Sequence, residues 1–92
     1  MSEISMTTRV TGQVQGVAYR NWARSRATAL GLRGWVRNDV SGAVIAQIEG
    51  DKAAVQQLLS EMWSGPGAAS VRDVQSRATQ LQITDSGFKI RR

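Results

Sequence analysis

With 92 residues, 41% of them hydrophobic, the chain has room for one core and is too apolar to be a disordered segment. It contains neither cysteine nor histidine, which removes disulfide staples, Ser-His-Asp and Cys-His nucleophilic systems and the usual zinc ligand sets. The net charge of +5 favours an anionic partner, whether nucleic acid, a membrane surface or a small phosphorylated metabolite, but the arginines are too dispersed for a tail that wraps DNA.

Met1 to Ser5 carries neither an apolar run nor a basic leader, and no stretch approaches the roughly 18 apolar residues of a membrane span. The expected compartment is the cytosol. Thr7 to Val14 alternates, with Thr8, Val10, Gly12 and Val14 on one side and Thr7, Arg9, Thr11 and Gln13 on the other. That period of two predicts a half-buried strand. Gln15-Gly16-Val17-Ala18 interrupts it, and from Tyr19 the pattern becomes the helical stripe Tyr19, Trp22, Ala23, Ala27, Leu30. Gly31 is a natural helix stop, since it tolerates the left-handed conformation that closes helices.

Gly34 to Asn38 predicts a second strand, with Trp35 and Arg37 on one face and Val36 and Asn38 on the other. Asp39-Val40-Ser41-Gly42 has turn chemistry, so the third strand, Ala43 to Glu49, returns as an antiparallel hairpin. Asp51 suits a helix N-cap before the apolar stripe Val55, Leu58, Leu59, Met62, Trp63, which ends at Gly65-Pro66-Gly67. Val71 to Ala78 and the Phe88/Ile90 alternation predict two further strands. The order β-α-β-β-α-β plus a short strand is that of an α+β, ferredoxin-like sandwich: a mostly antiparallel sheet of four to five strands with two helices on one face. The expected organisation is a single domain over residues 1–92, its core spanning about 7 to 91. Trp22, Trp35, Met62 and Trp63 fall at core periodicity and are expected to serve packing.

The chemistry concentrates between residues 14 and 20. A strand that ends in glycine and hands over to a helix leaves backbone N–H groups unbonded at a helix N-terminus, where oriented donors and the helix dipole attract anions. Gly16 permits the tight bend. Arg20 lies in the first helical turn, where its charge opposes the dipole. A bound anion would resolve that conflict, and a planar guanidinium is able to grip two phosphate oxygens at once. The acids, at 3, 39, 49, 51, 61, 73 and 85, show no paired spacing for a metal or glycosidase site. Positioning and electrostatics therefore remain, the terms that dominate phosphoryl transfer. Asn38 reads first as a turn residue, yet it ends a strand on the face of Val36, and a neutral amide there binds water without repelling a phosphate.

The run Gly12-Gln13-Val14-Gln15-Gly16-Val17-Ala18-Tyr19-Arg20 resembles the acylphosphatase signature Gly-x-Val-Gln-Gly-Val-x-aromatic-Arg. Gly34-Trp35-Val36-Arg37-Asn38, with Ser41-Gly42 and Val44, resembles the family's second signature. Glu49-Gly50, Gly65-Pro66, Ala69, Val71, Val74 and Phe88-Lys89-Ile90 also fall where members carry the same residues, so the resemblance covers roughly residues 8 to 91. It implies a ferredoxin-like fold and hydrolysis of acyl phosphates without metal or cofactor. By motif position, Arg20 and the backbone amides of Gln15, Gly16, Val17, Ala18, Tyr19 and Arg20 would bind the phosphate, and Asn38 would orient the water. The chain departs from the pattern at Ala18, where members often carry Phe or Gly, and lacks the basic residue often found just before Gly65-Pro66.

The resemblance implies small acyl phosphates as partners and a monomer. The rival reading, a nucleic-acid-binding ferredoxin-like module, needs aromatics on the first and third strands for base stacking, and Thr7–Val14 and Ala43–Glu49 have none. A repurposed acylphosphatase-like domain, such as the carbamoyl-phosphate-handling one that opens hydrogenase maturation proteins, is a further alternative; against it, Arg20 and Asn38 are both present and the chain stops at residue 92.

Overall fold

The elements follow one another as β1 (Glu3–Gln13), α1 (Tyr19–Ala29), β2 (Arg33–Asn38), β3 (Val44–Asp51), α2 (Lys52–Met62), β4 (Ser70–Thr79) and β5 (Phe88–Arg91). The structure, a computed structural model, describes residues 2–92. One sheet runs in the order β4-β1-β3-β2-β5. β3 is antiparallel to both β1 and β2, β4 is antiparallel to β1, and β5 lies parallel to β2. The ferredoxin-like sandwich is therefore present, with five strands.

The helix-facing side of the sheet presents Val10, Val36, Val44, Ala46, Ile48 and Phe88 to Ala23 and Ala27 of α1 and to Val55, Leu58 and Met62 of α2 in one buried cluster. Each large apolar side chain fully buried in this way stabilises the fold by about 1.5–3 kcal/mol. Asp51 caps α2 as its position suggests, its carboxylate accepting from the Ala53 N–H at 3.2 Å. Tyr19, at the start of α1, buries its ring and donates its hydroxyl to the Met62 carbonyl at 2.7 Å. That bond ties the first turn of α1 to the last turn of α2. Among the described residues no helix is long and apolar enough to cross a membrane.

Three expectations need correction. β1 starts at Glu3, ahead of Thr7, and its first residues pair with β3 from Glu3↔Asp51 to Met6↔Ile48. The strand was hidden there because Ser5 is buried on the other sheet face by polar partners, Glu49 and Thr79, not by an apolar alternation. Trp63 falls just past the end of α2 and is 51% exposed, so it does not belong to the core. Trp35 lies on the sheet face away from the helices, where the Arg91 guanidinium sits 4.7 Å from its ring centroid and that of Arg37 5.9 Å; the contact is cation–π. Trp22 and Met62 do pack as expected.

On that same outer face Glu49 is fully buried. Its carboxylate accepts from Ser5 Oγ and from the Gln82 and Ile83 N–H groups at 2.8 to 3.2 Å, with an Arg33 nitrogen at 3.5 Å. A buried carboxylate is tolerated when its lone pairs are met in this way. The consequence is positional: the connection before β5 is pinned to the centre of the sheet.

Candidate functional site

Because β3 lies between them and is antiparallel to both, β1 and β2 run parallel, and their C-terminal ends share one end of the sheet. Val10 and Asn38 are both paired with Val44, which sets them level across β3. The chain leaves β1, bends through residues 14–18 and enters α1, whose first residues line one cavity with Asn38. β5, parallel to β2 with Arg37↔Arg91 in register, brings its own C-terminal end to the same place. An open cavity of about 870 Å³ results, lined by Val14, Gly16, Ala18, Tyr19, Arg20, Asn21, Arg24, Asn38, Ile90 and Arg92.

Two left-handed residues shape the loop: Gly16 at φ 75° and Ala18 at φ 64°. Left-handed φ is routine for glycine but costs a residue with a Cβ roughly 1–2 kcal/mol. Strain of this kind gathers at ligand-binding loops, which need backbone groups aimed inward. Ala18 is also the N-cap of α1, makes no side-chain cap, and is followed by no acid in the first turn. The N–H groups at this helix start, beside the cavity, thus have no capping side chain.

The structure brings Gly16, Ala18, Tyr19, Arg20 and Asn38 to the cavity wall. Arg20 lines the cavity, its Nη1 donating to the Arg91 carbonyl at 3.2 Å. Asn38 is half-buried, and its Oδ1 is buried with no hydrogen-bond partner in the protein. No protein donor occupies this acceptor, which leaves it available to a group bound in the cavity. Val17 turns away and packs against the core. The Gln15 side chain also turns away: its Nε2 donates to the Asp39 and Ala43 carbonyls, both at 2.8 Å. That bond pair clamps the loop to the β2–β3 turn and sets the distance from the cradle to Asn38.

The turn itself is rigid. Asp39 accepts from the Ser41 hydroxyl at 2.6 Å and the Ser41 N–H at 3.2 Å, the side-chain pattern that mimics a backbone turn. These bonds from Ser41, reinforced by Arg37, hold the Asp39 carboxyl below its ordinary range. Burial pushes the Tyr19 phenol well above its usual value, so it stays a neutral donor.

Of the other arginines, Arg26 is paired with Glu61, Arg33 with Glu3 and Glu49, and Arg37 with Asp39. Arg24 and Arg92 line the cavity. Arg24 was accessible to pattern reading, being one helical turn beyond Arg20 and on the same face. Arg92 was not, because the parallel pairing of β5 with β2 alone brings it there.

A family model described as acylphosphatase matches residues 6–90. The acylphosphatase of Rhizobium meliloti is 48% identical over 84 residues, 91% of this chain and 88% of that protein. Among solved structures, an acylphosphatase from Coxiella burnetii superposes with a TM-score of 0.92 at 32% identity, covering 97% of this chain and 93% of that one. The acylphosphatase of Bacillus subtilis gives a TM-score of 0.92 at 27% identity, covering 97% and 99%.

Proposed function

The chain belongs to the acylphosphatase family, and from that premise we propose that Arg20 and the backbone N–H groups of residues 15–20 hold the phosphoryl group while Asn38 places the attacking water. The reaction is hydrolysis of the carboxyl–phosphate bond of an acyl phosphate. One observation carries the residue assignment: the strained Gly16–Ala18 loop, Arg20 and Asn38 line a single cavity.

The chemistry suits these residues. The cradle and the guanidinium neutralise the non-bridging phosphoryl oxygens and bind them more tightly as charge redistributes in the transition state. Water held by the Asn38 amide attacks phosphorus in line with the bond to the acyl oxygen. The new P–O bond forms as the old one breaks, and the electron pair leaves with the carboxylate. That leaving group needs no protonation, and the water's proton passes to a phosphoryl oxygen. Among the described residues no Asp or Glu lines the cavity, and none of these steps calls for a side-chain base.

We also infer a monomer of one catalytic domain, residues 1–92, acting in the cytosol on small acyl phosphates and not on nucleic acid. The outer sheet face supports the last point. Arg33 and Arg37 are engaged with Glu3, Glu49 and Asp39, and Trp35 is covered by Arg91, which leaves no free stacking platform. The test is hydrolysis of benzoyl phosphate in EDTA. Arg20→Ala lowers kcat/KM by about 10²–10³, the scale of a lost transition-state donor, and removes inhibition by inorganic phosphate. An unchanged kcat/KM would refute the cradle.

A further inference from the structure

Resting on the phosphoryl seat assigned above, we propose that the cavity selects acyl phosphates whose acyl portion carries a second anionic group, a carboxylate or another phosphate, and that Arg24 recognises it. Size is the first argument. The cavity holds about 870 Å³, whereas a phosphoryl group displaces only a few waters at about 30 Å³ each. The remaining space leaves room for the acyl portion along the wall.

The character of that wall is the second. Arg24 and Arg92 join Arg20 in the lining, which among the described residues contains no Asp or Glu. Outside the cavity Arg9 and Arg37 pair with Asp39, Arg26 with Glu61, Arg33 with Glu3 and Glu49, and Lys89 with Asp85, while Lys52, Arg72, Arg77 and Arg91 have no ion pair among the described residues. Arg20, Arg24 and Arg92 have no such partner among the described residues. Unpaired cations facing a cleft without acids make a field that favours negative charge beyond the phosphoryl group.

Helix geometry places the second anion. Residues four apart on a helix have Cβ atoms about 5–6 Å from each other, so Arg24 stands one turn of α1 beyond Arg20 along the same wall. An acyl phosphate whose phosphoryl group sits at Arg20 and whose acyl end runs along this wall meets Arg24 with its second anion. Arg24 is exposed and mid-helix, free to fork onto a carboxylate or phosphate, and its replacement leaves the core untouched.

The experiment compares benzoyl phosphate with 4-carboxybenzoyl phosphate, which present the same phosphoryl group and leaving carboxylate. The unmodified protein should prefer the carboxylated substrate by about 3- to 10-fold in kcat/KM, as a charge-assisted contact at a partly exposed site gives. Arg24→Gln should abolish that preference and Arg24→Lys should keep part of it. Arg72→Gln, which removes the same charge from β4 outside the cavity, should keep all of it. Equal kcat/KM for the two substrates, or a preference that survives Arg24→Gln, would overturn the selectivity while leaving the phosphatase reading intact. A preference lost equally in Arg72→Gln would reduce it to net charge and overturn it as well. Failure to hydrolyse either substrate would take down both readings together.

Discussion

Replacing Asn38 by alanine separates what this residue does for the fold from what it does for the reaction. Its Oδ1 has no partner in the protein, so alanine breaks no hydrogen bond within the fold. The variant loses only the packing of a half-buried, mostly polar side chain, worth less than 1 kcal/mol at about 25 cal/mol per Å² of apolar area. Asn38→Ala is therefore expected to stay within about 1 kcal/mol of the parent in stability. In a domain of this size 1 kcal/mol moves Tm by about 4–8 °C, so a larger loss is measurable by thermal or urea unfolding followed through tryptophan fluorescence. Catalysis should fall far more. Loss of the group that aims the water costs about 3–4 kcal/mol of transition-state stabilisation, or 10²–10³ in kcat. Inorganic phosphate should still inhibit with nearly its original affinity, since Arg20 and the loop amides are untouched. Stability and kcat falling together would show that Asn38 is a turn residue whose removal merely disorders the site. An unchanged kcat would remove it from the mechanism.

Tyr19→Phe deletes the hydroxyl that donates to the Met62 carbonyl at 2.7 Å and strands that acceptor in the core. A loss of about 1–2 kcal/mol in urea unfolding is expected, and an unchanged midpoint would mean that the link between α1 and α2 contributes nothing. Acid should destabilise the fold through Asp39, Glu61 and Glu3. Hydrogen bonds from Ser41, from Arg26 and from Arg33 respectively are the largest causes that hold these carboxyls below their ordinary values of 3.8, 4.5 and 4.5. Because the folded-state values are depressed, the stabilisation is present in full above the ordinary range and is lost as pH falls through the lowered values. Tm should be flat from neutral pH to about pH 5 and decline below about pH 4, and Glu61→Gln should flatten part of that decline; a Tm that rises on acidification would contradict the ion-pair assignments.

The element order was legible in the residues because alternation in Thr7–Val14, the Tyr19–Leu30 stripe and the Asp51 cap are relations between near neighbours in the chain. The same locality made the loop before α1 legible, since Gly16 and Arg20 belong to one strand-to-helix turn. Asn38 was visible only through its motif; its unpaired amide depends on what surrounds it. Trp63 misled for the converse reason. It continues the apolar stripe of α2, but the helix ends at Met62, so the next residue leaves the buried face.

Taken alone, then, the amino-acid sequence settled the succession of strands and helices and the bend at Gly16, and pointed to Arg20 as the arginine proposed to hold the phosphate, all of which follow from spacings of a few residues. The tertiary structure decided which of the other arginines share the cavity, how Gln15 clamps the loop to the Asp39 turn, and why Ser5 and Glu49 are buried. Those facts depend on strand order. Only when β3 is inserted between parallel β1 and β2, with β5 laid beside β2, do residues from positions 15, 24, 38 and 92 meet at one end of the sheet, and no local periodicity encodes that arrangement.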